Sequence, residues 1–130
     1  MPQIANITVK MADGTTDITY VADVPSAGDR SPASWTVKNA VARALRTNLS
    51  FLAQWNGQRS GRRCTVVAKY PIIREINGVE TVVATIPMEL TTLIPQLVLD
   101  AEATEAVVQF GNLVQSQLIA DSLIAGYAPT

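Results

Sequence analysis

The sequence predicts an α+β fold in which an N-terminal β-hairpin and an antiparallel β-sheet are followed by two C-terminal α-helices packed on one face of the sheet. Apolar and polar residues alternate in several segments up to residue 91, and apolar residues recur at spacings of three and four after Pro95. Strands followed by helices are typical of this class. We expect one domain of 130 residues, with the hairpin over residues 1–23, the sheet over 33–94 and the helices over 100–126.

The hairpin has a clear local signal. Apolar and polar residues alternate from Ile7 to Met11 and again from Ile18 to Tyr20, on either side of Asp13-Gly14. Alternation around an Asp-Gly pair favours a tight hairpin turn. The glycine- and proline-containing segment from Pro25 to Pro32 is interpreted as a surface loop.

Two later strands are predicted over residues 63–70 and 81–91. Each has one apolar side and one mainly polar side, as in a sheet that is covered on one face only. Asn77-Gly78 suits a tight turn, and residues 72–80 are interpreted as a short loop between the strands. Because Pro87 cannot donate a backbone hydrogen bond, the last strand is expected to be an edge strand or to contain a bulge.

The segment from Trp35 to Trp55 fits two patterns. Apolar residues at Val37, Val41, Leu45, Leu49 and Leu52 have helical spacing, and Ala40, Ala42 and Ala44 favour a helix. Residues 49–55, however, alternate as a half-buried strand does. We predict a strand over Arg46 to Trp55, because the residues that follow have sheet periodicity.

Two helices are predicted after Pro95. Asp100 can cap the first helix, and Glu102 is a favourable charge in its first turn. Its apolar stripe consists of Val107, Phe110, Val114 and Leu118. The second helix is expected from Gln117 to Ala125, with Gly126 as its stop.

Positive charge is concentrated in the middle of the chain, although the net charge is only −1. All the acids lie outside residues 30–74, and Lys10 is the only base outside them. An unopposed basic region is typical of a surface that binds a phosphate backbone, and a basic face that is simply solvated is the alternative. The basic block consists of Arg30, Lys38, Arg43, Arg46, Arg59, Arg62, Arg63, Lys69 and Arg74.

Other features indicate where the chain resides and that it has partners. Residues 1–4 lack the pattern of a secretory signal, and no apolar run is long enough to span a bilayer, so we expect the protein to stay in the cytosol where it is made. A single cysteine, Cys64, suits a reducing compartment. Charged residues make up only 16% of the chain, and the last strand is a long apolar edge, so a homodimer is expected to cover these surfaces.

Several residue runs, in this order of elements, resemble the coat proteins of levivirus-type single-stranded RNA bacteriophages. The runs are Cys64-Thr65-Val66-Val67-Ala68-Lys69-Tyr70-Pro71, Asn77-Gly78-Val79-Glu80, Met88-Glu89-Leu90-Thr91 and Ser122-Leu123-Ile124-Ala125-Gly126-Tyr127. The resemblance in element order covers nearly the whole chain, and the order and spacing of the runs carry it.

The resemblance implies a homodimer that assembles into a closed icosahedral shell, so that the protein resides in the virion. It further implies that the polar side of the sheet lines the inside of the shell and binds a hairpin of the viral RNA at the start of the replicase gene. This binding would repress translation and mark the genome for packaging. The RNA-binding residues that it implies, with Arg46 added from the basic block, are Arg46, Asn48, Ser50, Gln54, Arg63, Thr65, Val67, Lys69, Thr85 and Glu89.

The last strand departs from the family pattern. Where the family offers an aromatic and an amide side chain to the RNA, this chain has Thr85 and Pro87, and Val67 stands where a basic residue is expected. Thr85 cannot stack on a base and Pro87 cannot donate a hydrogen bond. These substitutions predict a different hairpin contact.

Other classes of protein fit less well. The chain has no histidine, no glycine-rich phosphate loop and no metal-ligand spacing, so we predict that it is not an enzyme and needs no cofactor, small-molecule substrate or membrane. A free-standing dimeric RNA-binding domain would share the basic block, but Phe51 and Trp55 alternate onto the apolar face, where they could not stack on bases. A subunit of another phage part, such as a tail tube, is a third alternative.

Overall fold

The computed structural model describes residues 2–39 and 42–130. These residues form two compact units that divide between Leu93 and Ile94. The first unit contains a six-stranded sheet in which strands follow one another in chain order. Its elements are β1 (Ile7–Lys10), β2 (Asp17–Val24), β3 (Ala33–Thr36), a short 3-10 helix (Arg43–Leu45), β4 (Asn48–Trp55), β5 (Gly61–Ile76) and β6 (Val79–Pro95), the last strand ending just inside the second unit.

The predicted hairpin is confirmed as β1 and β2. Ile7 pairs with Tyr20 and Lys10 with Asp17, and their side chains form an ion pair of 2.6 Å between Nζ and Oδ1. The hairpin is continuous with the rest of the sheet, because β2 also pairs with β3. The loop predicted over residues 25–32 contains no helix or strand.

The Asp13 carboxylate holds the hairpin turn. Its Oδ1 accepts hydrogen bonds from the backbone amides of Thr15 and Thr16, at 3.0 and 2.9 Å, and its Oδ2 accepts one from the Thr16 hydroxyl at 2.5 Å. The hydroxyl and the two amides of Thr16 and Thr15 stabilise the charged form and lower the pKa of Asp13 to about 2.

We therefore expect the NMR signal of the Asp13 carboxyl carbon to titrate with a midpoint near pH 2, because the hydrogen bonds from Thr16 and Thr15 lower its pKa to about 2. The stabilisation should be present above the ordinary value of 3.8 and should be lost as the pH falls through about 2. Thr16→Val, which removes the hydroxyl donor, should move the midpoint back toward 3.8. A wild-type midpoint at 3.8 would contradict this account of the turn.

The segment from Trp35 to Trp55, which fits both a helical and a strand pattern, begins in one strand and ends in another. Trp35 lies in β3 and pairs with Leu49 in β4, so the α-helical alternative is wrong. The predicted strand is confirmed from Asn48 to Trp55, but Arg46 lies just before it, at the end of the 3-10 helix. Ala40 and Val41, which belonged to the helical pattern, lie outside the described residues.

The predicted short loop over residues 72–80 is also wrong. Residues 72–76 continue β5 and residues 79–80 begin β6, so only Asn77 and Gly78 turn the chain. Both have positive φ, 53° and 79°, which is the conformation of the tight turn that connects two twisted antiparallel strands. Since β6 is the last strand in the sheet order, the prediction of an edge strand around Pro87 is confirmed.

Gly78→Ala is expected to lower the free energy of unfolding by about 1 kcal/mol, because a side chain disfavours the left-handed backbone. A Cβ atom at Gly78 would meet no atom within 4 Å, so the cost is conformational rather than steric. Chemical denaturation would measure it. Asn77→Gly, at the other turn position, serves as the control and should leave the free energy of unfolding nearly unchanged, and an equal loss in both variants would refute this explanation.

The second unit contains α1 (Asp100–Val114) and α2 (Gln117–Ala125), which contact one another. Both helices are confirmed, and α2 ends at Gly126, whose φ of 79° gives the left-handed stop. The prediction that Asp100 caps α1 is wrong by one residue: the backbone amide of Leu99 donates to Glu102 Oε1 at 3.1 Å, and Asp100 is the first helical residue. None of the described helices is long and apolar enough to cross a membrane.

Apolar side chains are exposed in this single chain on β6 and on both helices. On β6, Met88 is 50% exposed; on α2, Ile124 is 85% exposed. All four residues of the predicted apolar stripe are exposed as well, and the last of them, Leu118, belongs to α2. The buried residues among those described in the first unit are Tyr20, Ala33, Val37, Thr47, Gly61 and Ala68.

Candidate nucleic-acid interface

The pairing of β4 with β5 brings most of the predicted site residues onto one surface. Directly opposed residues of an antiparallel pair point to the same side of a sheet. The opposed pairs are Asn48 with Lys69, Ser50 with Val67, Leu52 with Thr65, and Gln54 with Arg63. These eight residues, together with Ser34 and Thr36 described next, are called the polar sheet face.

The third strand adds two residues that sequence reasoning missed. In β3, Ser34 lies opposite Ser50 and Thr36 lies opposite Asn48. A depression of about 280 Å³ opens here, and the residues of this face that line it are Ser34, Thr36, Asn48, Ser50, Val67 and Lys69. The alternation in Ala33-Ser34-Trp35-Thr36 was the available signal, but four residues are too few to distinguish a strand from a loop.

Two cations of the polar sheet face have no acidic neighbour. Among the described residues, no carboxylate lies within 4.0 Å of the charged nitrogens of Arg63 or Lys69. Both side chains are exposed. They are six residues apart on β5, which corresponds to roughly 20 Å along an extended strand. Two free cations on an exposed surface can bind phosphate groups.

The basic block is not all on this face, which corrects the expectation of one unopposed basic surface. Arg62 alternates to the opposite face, where its guanidinium donates to both carboxylate oxygens of Asp29, at 2.9 and 2.7 Å, and lies 5.0 Å from the centre of the Trp55 ring. The Arg62 guanidinium lowers the pKa of Asp29, chiefly by donating hydrogen bonds to it. Arg62 therefore ties the loop of residues 25–32 to the sheet.

The remaining predicted residues are Arg46, Thr85 and Glu89. Arg46 is half-buried just before β4, and its carbonyl oxygen accepts a hydrogen bond from Asn48 Nδ2 at 3.3 Å. Thr85 and Glu89 are exposed on β6, four residues apart and hence on the same side of that strand. The Thr91 hydroxyl donates to Glu89 Oε1 at 3.5 Å. Their role in RNA binding stays a prediction.

The opposite face of β2–β5 carries the aromatic rings. Tyr20 is buried, and its hydroxyl donates to the Tyr70 hydroxyl at 3.3 Å; burial raises the pKa of Tyr20, and the hydrogen bond to Tyr70 raises it further. Trp35 lies on the same face, and its indole nitrogen donates to the carbonyl oxygen of Ala5 at 2.8 Å. Phe51 and Trp55 complete this aromatic face.

The chemistry available on the polar sheet face is that of binding. Its hydroxyls and amides can donate and accept hydrogen bonds, and its cations can pair with anions. Among the described residues, no group of three histidine, cysteine or acidic side chains is placed to hold a metal ion.

The fold is that of the coat proteins of single-stranded RNA bacteriophages, and the α+β class predicted from the sequence is confirmed. A virus-like particle of bacteriophage NT-214 superimposes with a TM-score of 0.83 at 18% identity, covering 99% of this chain and 100% of the other. A virus-like particle of Beihai levi-like virus 21 has a TM-score of 0.83 at 21% identity, covering 99% of each chain.

A third solved structure is named as an unassembled virus coat protein dimer and bacteriophage RNA-binding dimer. It has a TM-score of 0.71 at 16% identity and covers 97% of both chains. No protein-family model matches this chain, and no curated protein matches it in sequence. The likeness therefore concerns the fold, over almost the entire length of the chain.

Proposed function

We propose that this protein is the coat subunit of a single-stranded RNA bacteriophage, which dimerises, assembles into a closed icosahedral shell and resides in the virion. The observation that carries the proposal is the whole-chain likeness to proteins that form virus-like particles, with 99% of this chain and 100% of the other superimposed. Its role is structural rather than enzymatic, and it requires no cofactor.

Exposed apolar surface supports the dimer. The edge strand β6 has exposed apolar side chains on both sides, Val83 on one and Met88 on the other. A long apolar edge is normally paired or covered, and a second copy of β6 would supply the missing hydrogen bonds. The exposed apolar residues of α1 and α2 provide further surface to bury in the assembly.

The polar sheet face supports RNA as the partner. Arg63 and Lys69 would bind phosphates, while Asn48 and Ser50 would form hydrogen bonds with the nucleotides. The proposed RNA-binding residues are Arg46, Asn48, Ser50, Gln54, Arg63, Thr65, Val67, Lys69, Thr85 and Glu89. Packaging requires affinity for RNA, whereas repression of one gene would also require discrimination among RNA sequences.

Electron microscopy of the protein expressed alone in bacteria, with absorbance at 260 nm on the purified particles, tests the proposal. We expect uniform closed particles that contain RNA. Soluble dimers without particles, across several salt concentrations, would instead favour a free-standing RNA-binding domain. Tubes would indicate a subunit of another phage part.

A further inference from the structure

The free cations of the polar sheet face are each paired with an amide. The register of β4 against β5 places Gln54 opposite Arg63 and Asn48 opposite Lys69. A cation and an amide NH2 group side by side can both donate to the oxygens of one phosphate. The face therefore has two similar donor pairs, separated by roughly 20 Å along β5.

The surface between these pairs is small and uncharged. It consists of Ser50 opposite Val67 and Leu52 opposite Thr65. The hydroxyls of Ser50 and Thr65 can form hydrogen bonds with ribose 2′-hydroxyl groups or with bases. Leu52 and Val67 can form only apolar contacts, which have no preferred orientation. Among the residues that the structure describes, no carboxylate holds Arg63 or Lys69 in a fixed orientation toward the edge of one base.

The aromatic rings that could stack on bases lie on the other side of the sheet. Trp35, Phe51 and Trp55 share the face of Tyr20 and Tyr70, and the rings of Tyr20 and Tyr70 are joined through their hydroxyls. Stacking on an aromatic ring is a main way in which proteins hold unpaired bases. The polar sheet face therefore offers charged and hydrogen-bonding groups to RNA rather than aromatic rings.

We infer that the polar sheet face binds single-stranded RNA by its backbone, through the two cation–amide pairs Arg63–Gln54 and Lys69–Asn48, with little preference for base sequence. The inference rests on the proposed function and specifies the kind of RNA that the polar sheet face binds. Such a face suits the packaging of a long RNA at many positions. It does not suit the selection of one hairpin.

The test is binding of the full chain, freed of RNA and kept below the concentration at which particles form, to fluorescently labelled RNA. The probes are three single strands of equal length and different base composition, and one hairpin. We expect affinities for the single strands within about threefold of one another, less than the fivefold or more that one good base contact provides. We expect the hairpin to bind no more tightly than the single strands.

The salt dependence of binding identifies the contacts. Arg63→Ala or Lys69→Ala should each reduce the slope of log affinity against log salt by about 0.7, as expected for the loss of one phosphate contact with a single strand. Asn48→Ala and Gln54→Ala should weaken all the probes alike. Asn48, Arg63 and Lys69 are exposed and Gln54 is half-buried. Because the strands pair through their backbones, we expect these variants to fold, and circular dichroism would check it.

Two results would overturn the inference in different ways. A tenfold or greater preference for one sequence or for the hairpin would refute sequence-independent binding to the RNA backbone. It would not contradict the proposed coat function. If no probe binds, both the inference and the RNA-binding part of the proposed function are refuted. Particles seen by electron microscopy would then still support the proposed assembly into a shell.

Discussion

Replacing Arg63 and Lys69 together by alanine is expected to lower the RNA content of the particles. The two side chains carry the free positive charges of the polar sheet face, with no carboxylate within 4.0 Å among the described residues. The loss of two phosphate contacts should weaken RNA binding about tenfold at physiological salt. The ratio of absorbance at 260 and 280 nm of purified particles measures the RNA content, and native gels show whether dimers persist.

Lys10→Ala with Arg62→Ala is the matched control, because it removes the same number of charges. Lys10 is already paired with Asp17 at 2.6 Å, and Arg62 with Asp29 at 2.7 Å on the opposite face. This control should retain the RNA content of the wild type. If both double variants lose RNA equally, total charge decides packaging and the polar sheet face has no special role.

Tyr20→Ala is expected to lower the free energy of unfolding by about 3 kcal/mol, the usual cost of removing a buried aromatic ring. Tyr20 is only 7% exposed within one chain, although it lies in the outer part of the sheet, and its hydroxyl contacts Tyr70. Urea unfolding at a fixed protomer concentration would measure the loss, since the stability of an oligomer depends on concentration.

Tyr20→Phe separates the ring from the hydroxyl. This variant keeps the buried ring and loses one hydrogen bond, so the expected cost is about 1 kcal/mol. Because the pKa of Tyr20 is raised, its stabilisation is fully present below the ordinary value of 10.0 and is lost as the pH rises above it. The Phe variant should lack this alkaline loss, and a cost equal to that of Tyr20→Ala would show that packing of the ring is unimportant.

The sequence by itself predicted the elements that depend on neighbouring residues. Asp13-Gly14 and Asn77-Gly78 indicated turns through their backbone preferences, and both turns are present. Gly126 predicted the end of α2, because glycine readily adopts the left-handed conformation found there. Alternation also predicted which side of β4 and β5 is polar, and hence most of the candidate site.

Predictions from local patterns were wrong in two places: where a strand is very short, and where strands continue up to a two-residue turn. The four residues of β3 are held by pairing with β2 and β4, and a pattern of four residues does not reveal that pairing. The turn signal at Asn77-Gly78 predicts a loop over residues 72–80, whereas β5 and β6 both extend up to that two-residue turn. In both places tertiary pairing overrides weak local preference.

Only the tertiary structure decided which charges are free. Arg62 and Arg63 are adjacent in the sequence, yet Arg62 pairs with Asp29, 33 residues away, while Arg63 faces the other side of the sheet beside Gln54. The register that places Lys69 opposite Asn48 is likewise a contact between residues that are distant along the chain. Periodicity determines the face on which a side chain lies, but its partner depends on strand register and loop path, which are set by the packing of the whole sheet.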